Sequence, residues 1–416
     1  MKIPTERRMQ GKIGRHFFVL GIVLAMLSPL AGCGPGIGED EGGAGASPAK
    51  AGSGQPHLAT GPAGEIVLSW LEAQGDGHEL RFATFDGDSW SAASTVAIGV
   101  DWFVNWADYP SVEPVSEKLW LAHWLVKQPN SAFAYDVFFA VSNDSGTNWS
   151  AEKKLHADDS AAEHGFVSFF ADGRTAGAIW LDGRQLAQRE APGMSLQSAL
   201  IAEDGALIDE QLVDPLACDC CQTDVALGAD GPIIVYRDRT PDEIRDIAVL
   251  RKVQGDWQQP QVVAVDDWLI TGCPINGPAI AAADSAVAVA WYTAANEQPL
   301  IRLARSLDSG GSFADAVTVS ADRPLGRVDV VVLEEGQAVV SWMARTEDGA
   351  ASFNVRRAGL DGTLGPTVQI ARMAPNRPAG FPQMVRSGDA LLFAWTDVSK
   401  RESIVRTASV RLSALE

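Results

Sequence analysis

Arg184, Arg237, Arg239 and Arg245 lie in two short segments, each interspersed with acidic residues. A guanidinium fork matches two oxygens at once, so such a group can clamp a carboxylate or another anion. Asp182, Asp238, Glu243 and Asp246 stand among these arginines, and structural ion pairing is the competing use of the same charges. Proton transfer could be carried by Glu163, His164 and Asp238, with Tyr109 as the freest of the four tyrosines. The run Asp101 to Tyr109 carries Trp102, Trp106 and Tyr109. Wide aromatics in a loop can stack on the apolar C–H faces of sugars, or they can plug the space between neighbouring elements. Asn276, in Gly272-Cys273-Pro274-Ile275-Asn276-Gly277-Pro278, is a further polar ligand-binding candidate.

Four cysteines add a second kind of chemistry. Cys218, Cys220 and Cys221 form a C-x-C-C cluster, and Cys273 stands alone some fifty residues on. An even number of cysteines in an exported chain favours disulfides. A bond between the adjacent Cys220 and Cys221 would be strained, so one bridge from the cluster to Cys273 is expected. The rival is four soft ligands for Cu(I) or Zn(II), although the spacing is not the familiar C-x₂-C pair. With the disulfide reading, neither a metal nor any other cofactor is expected.

These segments meet only if the intervening chain positions them. Large aromatics recur at Trp70, Trp124, Trp180, Tyr236, Trp291, Trp342 and Trp395, with successive spacings of 54, 56, 56, 55, 51 and 53 residues. Each closes a short β-branched or small-residue run bounded by Gly, Asp or Pro, the pattern of a buried strand. In one unit, strands are expected at Thr223–Leu227, Ile233–Tyr236, Ile247–Lys252 and Gln261–Val265. A repeat of this length built from four strands predicts an all-β propeller. Seven units can be counted, the last running from Phe381 to Arg411 with three strands; six blades is the alternative. In a propeller, the loops carrying Trp102, Glu163, Asp182, Cys218, Arg237 and Cys273 would share one face.

The opposite face carries a motif. Ser142-Asn143-Asp144-Ser145-Gly146-Thr147-Asn148-Trp149 and Ser306-Leu307-Asp308-Ser309-Gly310-Gly311-Ser312-Phe313 resemble Asp-boxes, with weaker copies at Asp86 to Trp90 and Gly255 to Trp257. In such a turn Asp binds backbone N–H groups, Gly supplies positive φ and the aromatic packs between strands. On these residues the segment 57–416 resembles the sialidase-like, BNR-repeat propellers. That family's catalytic set is an Arg triad, an Asp acid/base and a Tyr–Glu pair, with an early Arg-Ile-Pro motif. The motif does not occur in this sequence. Cys218-Asp219-Cys220-Cys221-Gln222-Thr223 also resembles a segment of exported bacterial proteins with the same repeats.

At the N-terminus, Lys2, Arg7, Arg8, Lys12 and Arg15 precede the apolar run Phe17–Leu30 and then Leu30-Ala31-Gly32-Cys33. This predicts a signal peptide over 1–32, cleaved before Cys33, whose thiol would carry the lipid. Residues 33–56, rich in Gly, Ala, Ser and Pro, would tether the domain. The formal charge of the chain is −20, and removing the leader's five basic residues and one Glu leaves −24. Such an acidic surface disfavours nucleic acid. The expectation is a monomeric lipoprotein of the bacterial cell envelope, outer membrane most of all. Its loop face would bind an anionic glycan or similar polar ligand, with hydrolysis left open. The alternatives are a non-enzymatic scaffold and a copper- or zinc-handling protein.

Overall fold

The computed structural model describes residues 46–416, apart from Asn130, Ala132 and Arg174. The predicted signal peptide and Cys33 lie outside the described residues. Seven antiparallel sheets follow one another along the chain and form a propeller; their strands lie in sequence order, except that in the fourth sheet the short Asp256–Trp257 and the strand Gln261–Ala264 both pair with Ile247–Val253. Blade 1 runs from Ser53 to Gly99, blade 2 from Ser111 to Lys154, and blade 3 from His164 to Ala217. Blade 4 runs from Asp224 to Ala264, blade 5 from Ala279 to Ser320, and blade 6 from Pro324 to Met373. Blade 7 has only the three strands Gln383–Ser387, Ala390–Asp397 and Ile404–Arg411. Seven blades with an incomplete last one is the predicted arrangement.

The recurrent aromatics sit on the second strand of every blade. Trp70, Trp124, Trp180, Tyr236, Trp291 and Trp342 are almost fully buried, and Trp395 is only slightly less so. They belong to apolar clusters that join adjacent blades, for example Trp180 among side chains of blades 2 and 3 and Trp342 among those of blades 5 and 6. Burying an aromatic of this size contributes roughly 2–3 kcal/mol, so the spacing of the repeat is also the spacing of its inter-blade glue. Blade 7 meets blade 1 through Leu392, Ala394 and Val405 against Leu58, Leu68 and Trp70. The Val405 N–H donates to Ser53 Oγ at 2.9 Å across the same seam. The first strand starts at Ser53 and Ala49 is already buried, so the folded domain begins before the expected position 57.

The Asp-boxes are folding devices. Asp308 Oδ1 accepts from the Ser312 N–H at 2.8 Å and Asp144 Oδ1 from the Asn148 N–H at 2.8 Å. The glycines of the two turns, Gly146 and Gly310, have φ of 79° and 76°, where a side chain would be strained. Trp149 leaves its turn to meet Phe82 of blade 1 edge-on, with ring centroids 6.1 Å apart.

Candidate functional site

The loops entering each blade and those joining its second and third strands converge as expected, but the arginines do not form an open clamp. Arg237 is buried and donates four hydrogen bonds to the carbonyls of Asn276, Arg245 and Tyr292, at 2.7–3.1 Å. Arg239 grips Glu243 and Asp219, and Arg245 donates to Glu243 Oε2 at 2.8 Å. Arg184 is held by Asp182 and Glu210, which together lift its pKa against the cost of burial. Each guanidinium is therefore engaged within the protein, and the anion-binding role expected for the four is corrected to a structural one. Asn276 is a clip rather than a ligand residue: its Oδ1 accepts from the Arg327 N–H at 2.8 Å, tying blade 5 to blade 6.

The aromatic loop divides. Trp102 is buried and stacks on Trp124 at 5.5 Å, so it is a plug and not a sugar platform. Trp106 is half-buried and stacks on Phe381 at 5.8 Å, with the Arg327 guanidinium 5.0 Å from its ring.

His164 is fully buried, lies parallel to His156 with centroids 3.7 Å apart, and is surrounded by Asp136, Asp158 and Asp182. Burial, assisted by His156, pushes its pKa down despite those carboxylates. It supports the blade 2–blade 3 seam, which corrects its expected proton-carrying role. Glu163 is half-buried, and burial with the nearby Asp219 raises its pKa. Asp238 is raised to about 6 by burial and by Asp214. Neither carboxyl lines the central channel.

That channel runs between the first strands of the blades and encloses about 490 Å³. Of the four proton-transfer candidates, only Tyr109 lines it. The Tyr109 hydroxyl accepts from Gln383 Nε2 at 3.4 Å, and burial raises its pKa. Its wall also carries His57, Glu113, Asp108, Asp224 and Asp329, none of which the motif reading singled out, together with Arg386 and the neutral polar side chains of Ser111, Ser168, Gln222, Thr223 and Gln383. Glu113 meets His57 Nε2 at 2.5 Å and raises the imidazole pKa in spite of burial.

Asp224 and Asp329 each project from a first strand, and each accepts the backbone N–H of the next blade's first strand. Ile280 donates to Asp224 at 2.8 Å and Met384 to Asp329 at 2.6 Å. Asp108 accepts from the Phe166 N–H at 2.8 Å and from the Tyr135 hydroxyl at 3.0 Å. Burial lifts all three acids: Asp224 to about 6, Asp108 to about 7, and Asp329 to about 7 with repulsion from Asp224 adding to it. A half-buried carboxyl that titrates near neutrality can donate or accept a proton at ordinary pH.

The cysteines lie at the same end as Trp106 and Phe381. All four are free thiols, and the sulfurs of Cys218 and Cys221 lie 3.2 Å apart. The expected bridge from the cluster to Cys273 is not present.

No family model matches the sequence, and no curated protein is similar to it. Solved structures are similar in fold. An endosialidase from phage phi92 superposes with a TM-score of 0.50 at 8% identity, over 89% of this chain and 68% of that one. A Penicillium chrysogenum α-L-arabinanase gives 0.49 at 11% identity, over 87% of this chain and 94% of the other. A Hadza microbial sialidase gives 0.44 at 11% identity, and the match spans 70% of this chain but only 63% of the sialidase. At such identities the likeness concerns the fold: this chain is a propeller of sialidase-like architecture.

Proposed function

We propose that the axial channel binds a neutral, hydroxyl-rich ligand, an oligosaccharide before others. The observation that carries this reading is the set of half-buried carboxyls, Asp224, Asp329 and Glu113, facing a 490 Å³ cavity beside Tyr109 and His57. Carboxyl oxygens accept from sugar hydroxyls, and the phenol ring offers an apolar face. A ligand carrying its own carboxylate would meet Asp108, Asp224, Asp329 and Glu113 here, while the four loop arginines are engaged elsewhere and Arg386 at the wall is paired with Glu334. The anionic ligand expected from the arginine count is replaced by a neutral one. Neutral oligosaccharides are the first compounds to test. In a bound sugar, Asp329 and Asp224, both lifted by burial, would face the hydroxyls together.

The test is a glycan array containing neutral and sialylated members, probed with wild type, Tyr109→Phe and Gln383→Ala, together with an assay for released reducing ends. Binding of neutral glycans that weakens at least tenfold in either variant, with unchanged thermal midpoints, supports the reading. Binding confined to sialylated glycans, or unaffected by both variants, overturns it.

Anchoring through Cys33 is proposed alongside, supported by the basic leader, the apolar run and Leu30-Ala31-Gly32-Cys33. The acylated chain would remain with the cell envelope, on a tether that ends where Ala49 enters the fold.

A further inference from the structure

We propose that Cys218, Cys220 and Cys221 form a three-thiolate site for copper(I). The three sulfurs lie within 4.8 Å of one another. A metal–sulfur bond of ~2.3 Å places the sulfurs of a trigonal site about 4.0 Å apart, so the cluster is near the required size as folded. Cys218 and Cys221 are almost fully buried, Cys220 is half-buried and Cys273 is exposed, which leaves one side open for metal entry.

The surrounding charge is of the kind that thiolates need. Arg245, 2% exposed, donates from Nη1 to Cys218 Sγ at 3.3 Å, and its Nε has no partner among the described residues. Arg237 is buried nearby and bonds only to carbonyls and not to a carboxylate, so its charge is not neutralised by an ion pair. Both cations favour the deprotonated sulfurs that a metal binds; coordination would release the thiol protons to solvent. Soft sulfur donors select Cu(I), Zn(II) or iron–sulfur clusters. The compact cluster of three favours Cu(I), a d¹⁰ ion content with low coordination, over Zn(II), which seeks four ligands.

The loop is also held in place. The Cys218 N–H donates to the Arg237 carbonyl at 3.0 Å, while Gln222 bridges to the Ala107 carbonyl at 2.5 Å and to the Gly277 N–H at 3.0 Å. The sulfurs are thereby presented on a fixed frame that spans the loops into blades 2, 4 and 5.

The experiment takes the full chain with Cys33→Ser, reduced and kept anaerobic, and offers it Cu(I) as its bis-bicinchoninate complex, with X-ray absorption on the loaded protein. The expected result is withdrawal of one Cu(I) per chain into an all-sulfur shell, with affinity at least tenfold weaker in Cys218→Ser. Thermal midpoints for wild type and variant distinguish lost ligation from lost folding, and the wild-type readings do not depend on the variant. Copper left on the chelator, nitrogen or oxygen in the shell, displacement of Cu(I) by equimolar Zn(II), or a disulfide among the four cysteines of the native, unreduced protein would each overturn the proposal.

Discussion

Arg237 shows how much a residue's role depends on where its neighbours point their carbonyls. The same sequence neighbourhood, Arg237 to Asp246, reads as an anion clamp or as an ion-pair cluster, and spacing cannot decide between them. The structure decides by placing three backbone carbonyls within reach of the guanidinium. Removing the side chain leaves those acceptors unsatisfied, so Arg237→Ala should lose about 3 kcal/mol of stability in a denaturant titration. A variant as stable as wild type would return Arg237 to the list of ligand residues. Asp224 and Asp329 went unnoticed for a related reason: they lie inside first strands, in Thr223-Asp224-Val225 and Val328-Asp329-Val330, with no catalytic motif around them. The usable signal was a lone charge in an otherwise apolar strand on the propeller axis.

Asp329 also yields a pH prediction. Asp224, His57 and Tyr109 are its charged or titratable neighbours, and its folded pKa of about 7 stands above the ordinary value of 3.8. The folded state therefore holds the proton more tightly than the unfolded chain. Stability from this group is present below about pH 4 and is lost as pH rises towards 7. Asn mimics the protonated acid, so Asp329→Asn should gain on wild type by ~1–2 kcal/mol between pH 5 and pH 8, after discounting for partial exposure. Paired denaturant curves at the two pH values measure the difference. A constant gap between the proteins would mean that Asp329 is ionised throughout.

At the scale of elements, the loops into blades 4 and 5 act as one unit. A Cβ on Gly277 would sit 2.2 Å from the Gln222 carbonyl oxygen, a backbone atom that cannot swing aside. Gly277→Ala should therefore push the two loops apart, costing ~1–3 kcal/mol and weakening copper binding without removing any ligand. Full copper affinity in this variant would show that the loops move independently. The strands themselves were plainly legible: in blade 4 the expected spans differ from the observed Asp224–Gly228, Gly231–Arg237, Ile247–Val253 and Gln261–Ala264 by no more than two residues at any end. Short β-branched runs between turn residues leave little choice. Loop side chains were less legible, as with Trp102 and Trp106, because identical residue types turned one inward and left the other at the surface.

The described residues form a ring closed by packing between blades 7 and 1 and by the Ser53 hydroxyl, in a chain of acidic net charge. Repeat spacing made this architecture readable, since each aromatic must meet the same seam once per blade. The channel's contents were not readable, because they arise where seven distant first strands converge. If Cys33 is acylated, the chain should partition into the membrane fraction and incorporate labelled palmitate, and Cys33→Ser should do neither. A soluble, unlabelled wild-type chain would remove the anchor. The ligand claim is tested most directly by a crystal structure of the protein soaked in the tightest-binding neutral oligosaccharide from the array. The account predicts a sugar ring in the axial channel, against Tyr109 and with hydroxyls on Asp224 or Asp329; an empty channel with the sugar held at the Arg239–Arg245 loop would contradict it.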